Sequence, residues 1–113
     1  MEVPNGHKHR DLICIYEAFG TAFLLISVNW GALGGSQAVA VAFGIFGYIT
    51  VMSPICGSNF NPAVTLGILI KDTGSSFREN LITALCTITA QIAGGFLGVL
   101  FVLIAVNMDV PIE

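Results

Sequence analysis

Charged residues are scarce in this 113-residue sequence, at 10% of the chain against about 25% in a typical soluble domain. Hydrophobic residues reach 55%, a balance that excludes an ordinary soluble domain. Basic residues are fewer still: four Lys and Arg stand against seven Asp and Glu, for a net charge of −3. We therefore expect no nucleic-acid partner, because such binding needs a basic surface.

Residues for metal binding and catalysis are also lacking. The three cysteines, Cys14, Cys56 and Cys86, lie in apolar sequence, and their odd number and wide spacing exclude a disulfide framework or a Cys-x-x-Cys site. His7 and His9 resemble a metal-binding pair, but they stand beside basic residues in a polar segment, which favours a solvated terminus. No Ser/His/Asp, Cys/His or paired-carboxylate arrangement is present. We predict no enzyme, no metal and no cofactor.

Long apolar runs are what the sequence does contain. They cover about residues 12–33, 37–53 and 81–106, and each is close to the roughly 20 residues that a membrane-spanning helix needs. The first run is too long for the apolar region of a signal peptide and is read as a retained span. Residues 76–79 have the Ser-x-x-Glu form of a capping box, which predicts a helix start there. These features predict an all-α integral membrane protein.

Small residues recur every four positions in two of these runs. Ala40 and Gly44 do so in the second run, and Ala90, Gly94 and Gly98 in the third. Such spacing places small side chains on one helix face, where two backbones can approach closely. We expect these helices to pack against each other.

The segment 54–70 is apolar but interrupted by Gly57, Asn59 and Asn61. Only the part that begins at Pro62 is continuously apolar, and nine helical residues there cover about 14 Å, near half the hydrocarbon core. The segment is too short to cross the membrane. We predict that it enters and leaves from one face as a re-entrant loop and half-helix.

The distribution of basic residues supports this topology. With three spans, the four Lys and Arg residues all fall on one side, and cytoplasmic loops carry the excess of positive charge. The residues concerned are Lys8, Arg10, Lys71 and Arg78. If the segment 54–70 crossed completely, they would divide two against two. We therefore expect a cytoplasmic tail over residues 1–11 and an extracytoplasmic tail over residues 108–113.

Asn61 and Pro62 define the start of the half-helix. A residue before proline is excluded from the α region, and proline is favoured at the first helical position, so Asn61 is predicted to be an N-cap. We expect the stretch 56–60 to be extended, with carbonyls that no helix pairs. Acceptor carbonyls beside a positive helix N-terminus bind neutral polar solutes and repel cations.

Residues 57–67, GSNFNPAVTLG, resemble the first Asn-Pro-Ala loop of the aquaporin or major intrinsic protein family. Residues 17–21, EAFGT, resemble the Glu-x-x-Gly-Thr sequence of that family, and Ala90-Gln91 adds to the likeness. The resemblance implies that residues 12–107 form half of an aquaporin-like channel, one inverted repeat with three spans and a half-helix.

The resemblance also implies roles for particular residues. Asn61 would donate its amide to a solute at mid-membrane, while Pro62 and Ala63 would cap the half-helix against its partner. Phe43 would contribute to an outer aromatic constriction. The carbonyls that would line the cytoplasmic half of the pore belong to Gly57, Ser58 and Asn59.

For three further residues the sequence leaves two alternative roles open. The resemblance implies that Glu17 and Gln91 hold the loop from behind. Glu17 could instead relay protons, but the spans offer no second acid or histidine, and Gln91 could equally be an ordinary interhelical contact. Cys56, beside the proposed pore lining, is either a site where thiol reagents block flow or an inert buried thiol.

We therefore predict a passive channel for water, glycerol or another small neutral solute in the lipid bilayer. The alternative is a non-conducting membrane interaction protein. The family pattern includes a second Asn-Pro-Ala and a constriction arginine that residues 1–113 do not contain. Three explanations of the missing half remain: a partial gene product, a half that joins a separately encoded partner, or an antiparallel pair of identical chains. The one-sided basic charge disfavours the antiparallel pair. Homotetramers are implied by the resemblance.

Overall fold

The computed structural model describes residues 9–72, 74 and 76–108, and this part of the chain forms α-helices and no strand. The helices are α1 (Arg10–Leu33), α2 (Gln37–Cys56), α3 (Pro62–Lys71) and α4 (Phe77–Asn107). Helices α1, α2 and α4 are long and apolar enough to cross a membrane, whereas α3 is not. The predicted all-α class with three spans and one short helix is confirmed. His7, Lys8 and most of both predicted tails lie outside the described residues.

Helices α1 and α4 lie side by side and run parallel. Arg10, at the start of α1, bonds Glu79 in the first turn of α4, with 2.9 Å between Nη2 and Oε2. Further along both helices, Ala22 contacts Gly98. Contacts therefore advance in the same direction on the two helices. Since α2 returns the chain across the membrane, α3 and its loop must re-enter on the side where α1 and α4 begin.

Helix α2 runs antiparallel to α1 after a short turn. Gly31 near the end of α1 meets Ala40 near the start of α2, and Ser27 meets Gly44 one turn further on. The small residues of α2 thus bring its backbone close to α1. Helix α1 is the central helix of the unit, with α2 and α4 both packed against it.

The packing of α2 against α4 that small residues led us to expect is wrong. Among the described residues these helices do not approach closely enough to pack backbone to backbone, and each packs its small residues on α1 instead. Gly94 and Gly98 face the backbones of Ala18 and Ala22, where an added Cβ would have no room. A small-residue face identifies a surface for close packing but not the helix that will occupy it.

Two local features differ from the sequence pattern. Helix α2 continues through Pro54 to Cys56, because a proline in the last turn removes one backbone donor without preventing the Gly57 N–H from closing the helix on Ser53. Ser76 is the N-cap residue of α4, but its side chain forms no capping bond. The other half of the expected capping box, Glu79, pairs with Arg10 instead.

Candidate functional site

The loop between α2 and α3 reverses the chain with left-handed residues. Gly57, Ser58 and Phe60 have φ angles of 85°, 55° and 48°. The expected extended conformation of this stretch is therefore wrong. Left-handed backbone is unfavourable for residues with a Cβ, and it persists only where surrounding contacts fix it.

Glu17 of α1 supplies the main contacts to this loop. Its side chain is fully buried, with 0% exposed. Its Oε1 accepts the Asn59 N–H at 2.8 Å and its Oε2 accepts the Phe60 N–H at 2.7 Å. A third donor, Gln91 Nε2, lies 2.9 Å from Oε2. These bonds to two backbone amides and a carboxamide tie the loop to α1 and α4.

Gln91 of α4 joins Glu17 to the half-helix. Its side chain is 1% exposed, and Nε2 also lies 3.0 Å from Thr65 Oγ1. The Thr65 hydroxyl accepts from Asn59 Nδ2 at 3.3 Å, and it donates its one hydrogen to the Asn61 carbonyl at 3.2 Å or to Gln91 Oε1 at 3.4 Å. The network thus connects α1, the loop, α3 and α4. Thr65 was not selected from the sequence, although a lone hydroxyl four residues after the N-cap of an apolar helix was the available signal.

Asn61 is confirmed as the N-cap of α3. Its Oδ1 accepts the Ala63 N–H at 2.9 Å, and its backbone is extended, with φ −150° and ψ 124°. Pro62 occupies the first turn, where its missing N–H costs nothing. Because Oδ1 faces the helix, the Nδ2 donors of Asn61 point away from it. Asn61 and Ala63 are exposed, and Pro62 is partly exposed.

The loop also presents backbone acceptors. Within the described part of the chain, no backbone N–H donates to the carbonyls of Gly57, Ser58 and Asn59. These carbonyls adjoin the N-terminus of α3, where unpaired N–H groups carry a partial positive charge. One short segment therefore combines neutral acceptors, amide donors and a positive helix end.

Phe60 anchors the loop by burial. Its ring lies on Gly20 of α1, at a point where no Cβ would fit, and it meets the Tyr48 ring edge to face at 5.7 Å between centroids. Ile13 and Cys56 complete the buried cluster. The buried ring thus fixes the loop against α1 and α2. Sequence reasoning did not identify this role.

Phe43 is not brought to the loop. It lies on α2, 74% exposed, in a shallow groove between α1 and α2. The backbones of α2 and α3 do not approach within 8 Å between Cα atoms in the ranges that the structure describes. The residues that line the groove together with Phe43 include Phe23, Gly44 and Tyr48.

Cys56 ends α2 directly before the loop. Its thiol is buried and donates to the Met52 carbonyl at 3.5 Å, with Ser58 Oγ 3.9 Å away. Across residues 9–72, 74 and 76–108, no group of three or more His, Cys, Asp or Glu side chains is arranged to hold a metal ion.

Three apolar helices long enough to span a membrane, with a short helix packed on α4, define an integral, multi-pass membrane protein. The profile of the family described as Major intrinsic protein matches residues 11–111, and the chain belongs to that family. An aquaglyceroporin of Toxoplasma gondii (strain ATCC 50611 / Me49) is 35% identical over 86 residues, which cover 73% of this chain. The chain spans 31% of the length of that relative. No solved structure matches the chain.

Proposed function

We propose that this chain forms one half of a passive membrane channel for water or another small neutral solute. The observation that carries the proposal is the Asn61 cap. Its Oδ1 is occupied by the Ala63 N–H, while its Nδ2 stays exposed beside the unpaired carbonyls of the loop. A neutral solute that both donates and accepts hydrogen bonds can replace its lost hydration on these groups.

The arrangement also discriminates against ions. The N-terminus of α3 carries a partial positive charge, which repels cations. The loop offers no free carboxylate to compensate, because both oxygens of Glu17 are occupied on its buried side. Neutral acceptors alone do not offset the hydration that an ion loses. The site thus favours uncharged solutes, and it requires no enzymatic step.

A second unit of the same kind completes the pore in this proposal. Pro62 and Ala63 would meet its half-helix at mid-membrane, and Phe43 would contribute to an outer constriction with it. The second unit is supplied by the same polypeptide or by another chain, and four complete channels form a homotetramer. The N-terminus is cytoplasmic, as the one-sided basic residues favour.

Stopped-flow light scattering tests the function. Liposomes that carry the full gene product are mixed with a hyperosmotic solution, and we expect them to shrink faster than empty liposomes. Asn61→Asp keeps the oxygen that caps Ala63 but removes the Nδ2 donors and adds charge. Loss of a hydrogen bond of about 1 kcal/mol corresponds to about a fivefold fall in rate. We expect at least that reduction.

Asn107→Asp is the matched control, because Asn107 is exposed at the far end of α4. It should leave the shrinkage rate unchanged. Permeability no greater than that of empty liposomes, to both water and glycerol, contradicts the proposal. Co-purification of a partner without any permeability, unaffected by Asn61→Asp, favours the non-conducting interaction protein instead.

A further inference from the structure

In the hydrogen bonds behind the loop, the donor and the acceptor of each bond can be assigned in turn, beginning at Glu17. Its two oxygens receive three N–H donors, so both act as acceptors. The Gln91 amide must therefore present Nε2 to Glu17. The same Nε2 reaches Thr65 Oγ1 at 3.0 Å, so Thr65 is an acceptor in that contact.

The Thr65 hydroxyl has a single hydrogen, and that hydrogen is already used. It goes to the Asn61 carbonyl at 3.2 Å or to Gln91 Oε1 at 3.4 Å. In either case none remains for Asn59. The Asn59 side chain must then turn its Nδ2 toward Thr65, at 3.3 Å, and its Oδ1 away.

The outward oxygen is accessible. No described hydrogen bond satisfies Asn59 Oδ1, and the described residues contain no buried side-chain oxygen or nitrogen without a partner. Its position is also fixed, because the backbone N–H of Asn59 is held by Glu17 at 2.8 Å. Asn59 is thus anchored at two points, with its side-chain oxygen left as a free acceptor.

We infer that Asn59 Oδ1 is a solute-binding acceptor and that Thr65 is the positioning residue that keeps it turned outward. The inference rests on the proposed function and adds a side-chain acceptor to the backbone carbonyls. The segment then presents two side-chain amides in fixed orientations. Asn59 offers its oxygen as an acceptor, and Asn61 offers its Nδ2 hydrogens as donors. A solute that donates and accepts hydrogen bonds, such as water, contacts both.

The orientation is tested by nuclear magnetic resonance on the full chain in micelles with ¹⁵N-labelled asparagine. The measurement is the exchange of the Asn59 side-chain amide hydrogens with water. Thr65→Val removes the acceptor at nearly constant volume, and we expect exchange to rise about tenfold as the hydrogen bond is lost. Thr65→Ser should restore the slow exchange. Thr89→Val, which removes an exposed hydroxyl from α4, is the matched control and should change nothing.

Water permeability of liposomes tests the solute role. We expect Thr65→Val and Asn59→Leu to lower it several-fold, and Thr65→Ser to retain it. Asn59→Leu leaves the bonds between Gln91 and Thr65 intact, so it keeps the test decisive if Thr65→Val fails to fold. If amide exchange is equal in the unaltered protein, Thr65→Val and Thr65→Ser, or if flux is undiminished in Asn59→Leu, the role of Asn59 is overturned. The proposed channel function is not affected by either result. No flux through the unaltered protein overturns the proposed function and, with it, the solute role.

Discussion

At the scale of single residues, Glu17 replaces the hydrogen-bond partners that the loop cannot find in a regular element. Backbone N–H groups away from water need acceptors. Those of Asn59 and Phe60 find them on Glu17, which lies 42 and 43 residues earlier in the chain. A carboxylate suits this place because it accepts at both oxygens, whereas an amide would turn its N–H₂ group toward at least one donor.

Glu17→Gln therefore lowers the free energy of unfolding by about 1–3 kcal/mol, the cost of a buried polar group left without a partner. Reversible denaturation in mixed micelles measures the change. Glu79→Gln is the matched control, since its side chain is 49% exposed and its pair with Arg10 lies at the surface. We expect less than about 1 kcal/mol there. Equal losses in the two variants would show that the Glu17 carboxylate is not needed to hold the loop.

At the scale of elements, the close approach of α1 and α4 is what allows the brace to form. Gly94 lies against the Ala18 backbone, one turn of helix from the contact between Glu17 and Gln91. Backbone atoms cannot turn aside as a flexible side chain can. The helix spacing therefore depends on the absence of a Cβ at Gly94.

We expect Gly94→Ala to push the two helices apart and to lower the free energy of unfolding by about 1–3 kcal/mol. The adjacent Gly95→Ala is the control, because the nearest atom to its added Cβ is Thr21 Cγ2 at 3.9 Å. Alanine there should be neutral or stabilise the helix by about 0.5–1 kcal/mol. Thermal unfolding in detergent compares the pair, and the reverse order would exclude backbone contact as the reason for Gly94.

The elements themselves could be predicted from the sequence because hydropathy and proline placement are local signals. Hydropathy predicts the three spans, and the proline that follows Asn61 predicts that Asn61 is the N-cap of α3. The left-handed loop, the burial of Phe60 and the role of Thr65 could not be predicted in this way. Each depends on contacts with α1 or α4, and no spacing rule in one sequence specifies such contacts.

At the scale of the whole molecule, parallel α1 and α4 require an odd number of crossings. The turn near Ser36 then lies on the side of the membrane opposite to Asp72, which follows α3. This separation is a direct consequence of the half-helix. A complete crossing by α3 would place Ser36 and Asp72 on the same side.

Labelling with a membrane-impermeant maleimide measures the topology in sealed cells. We expect Ser36→Cys to react from outside and Asp72→Cys to react only after the cells are opened. The unsubstituted protein is the control, since Cys14, Cys56 and Cys86 lie within the spanning helices and should not react. Labelling of both engineered positions from outside would establish that α3 crosses the membrane.

The wide sequence separation between Glu17 and its partners has a consequence for biosynthesis. Glu17 is made before the loop and well before Gln91, which lies 74 residues later. Until those segments emerge, α1 carries an unpartnered carboxyl group, and a charged side chain near the centre of an isolated helix costs about 2.5–3.5 kcal/mol on insertion scales. This cost falls on α1 before its partners have been made. Glu17 gains its full set of partners only when α4 is in place, so the brace is the last part of the unit to form.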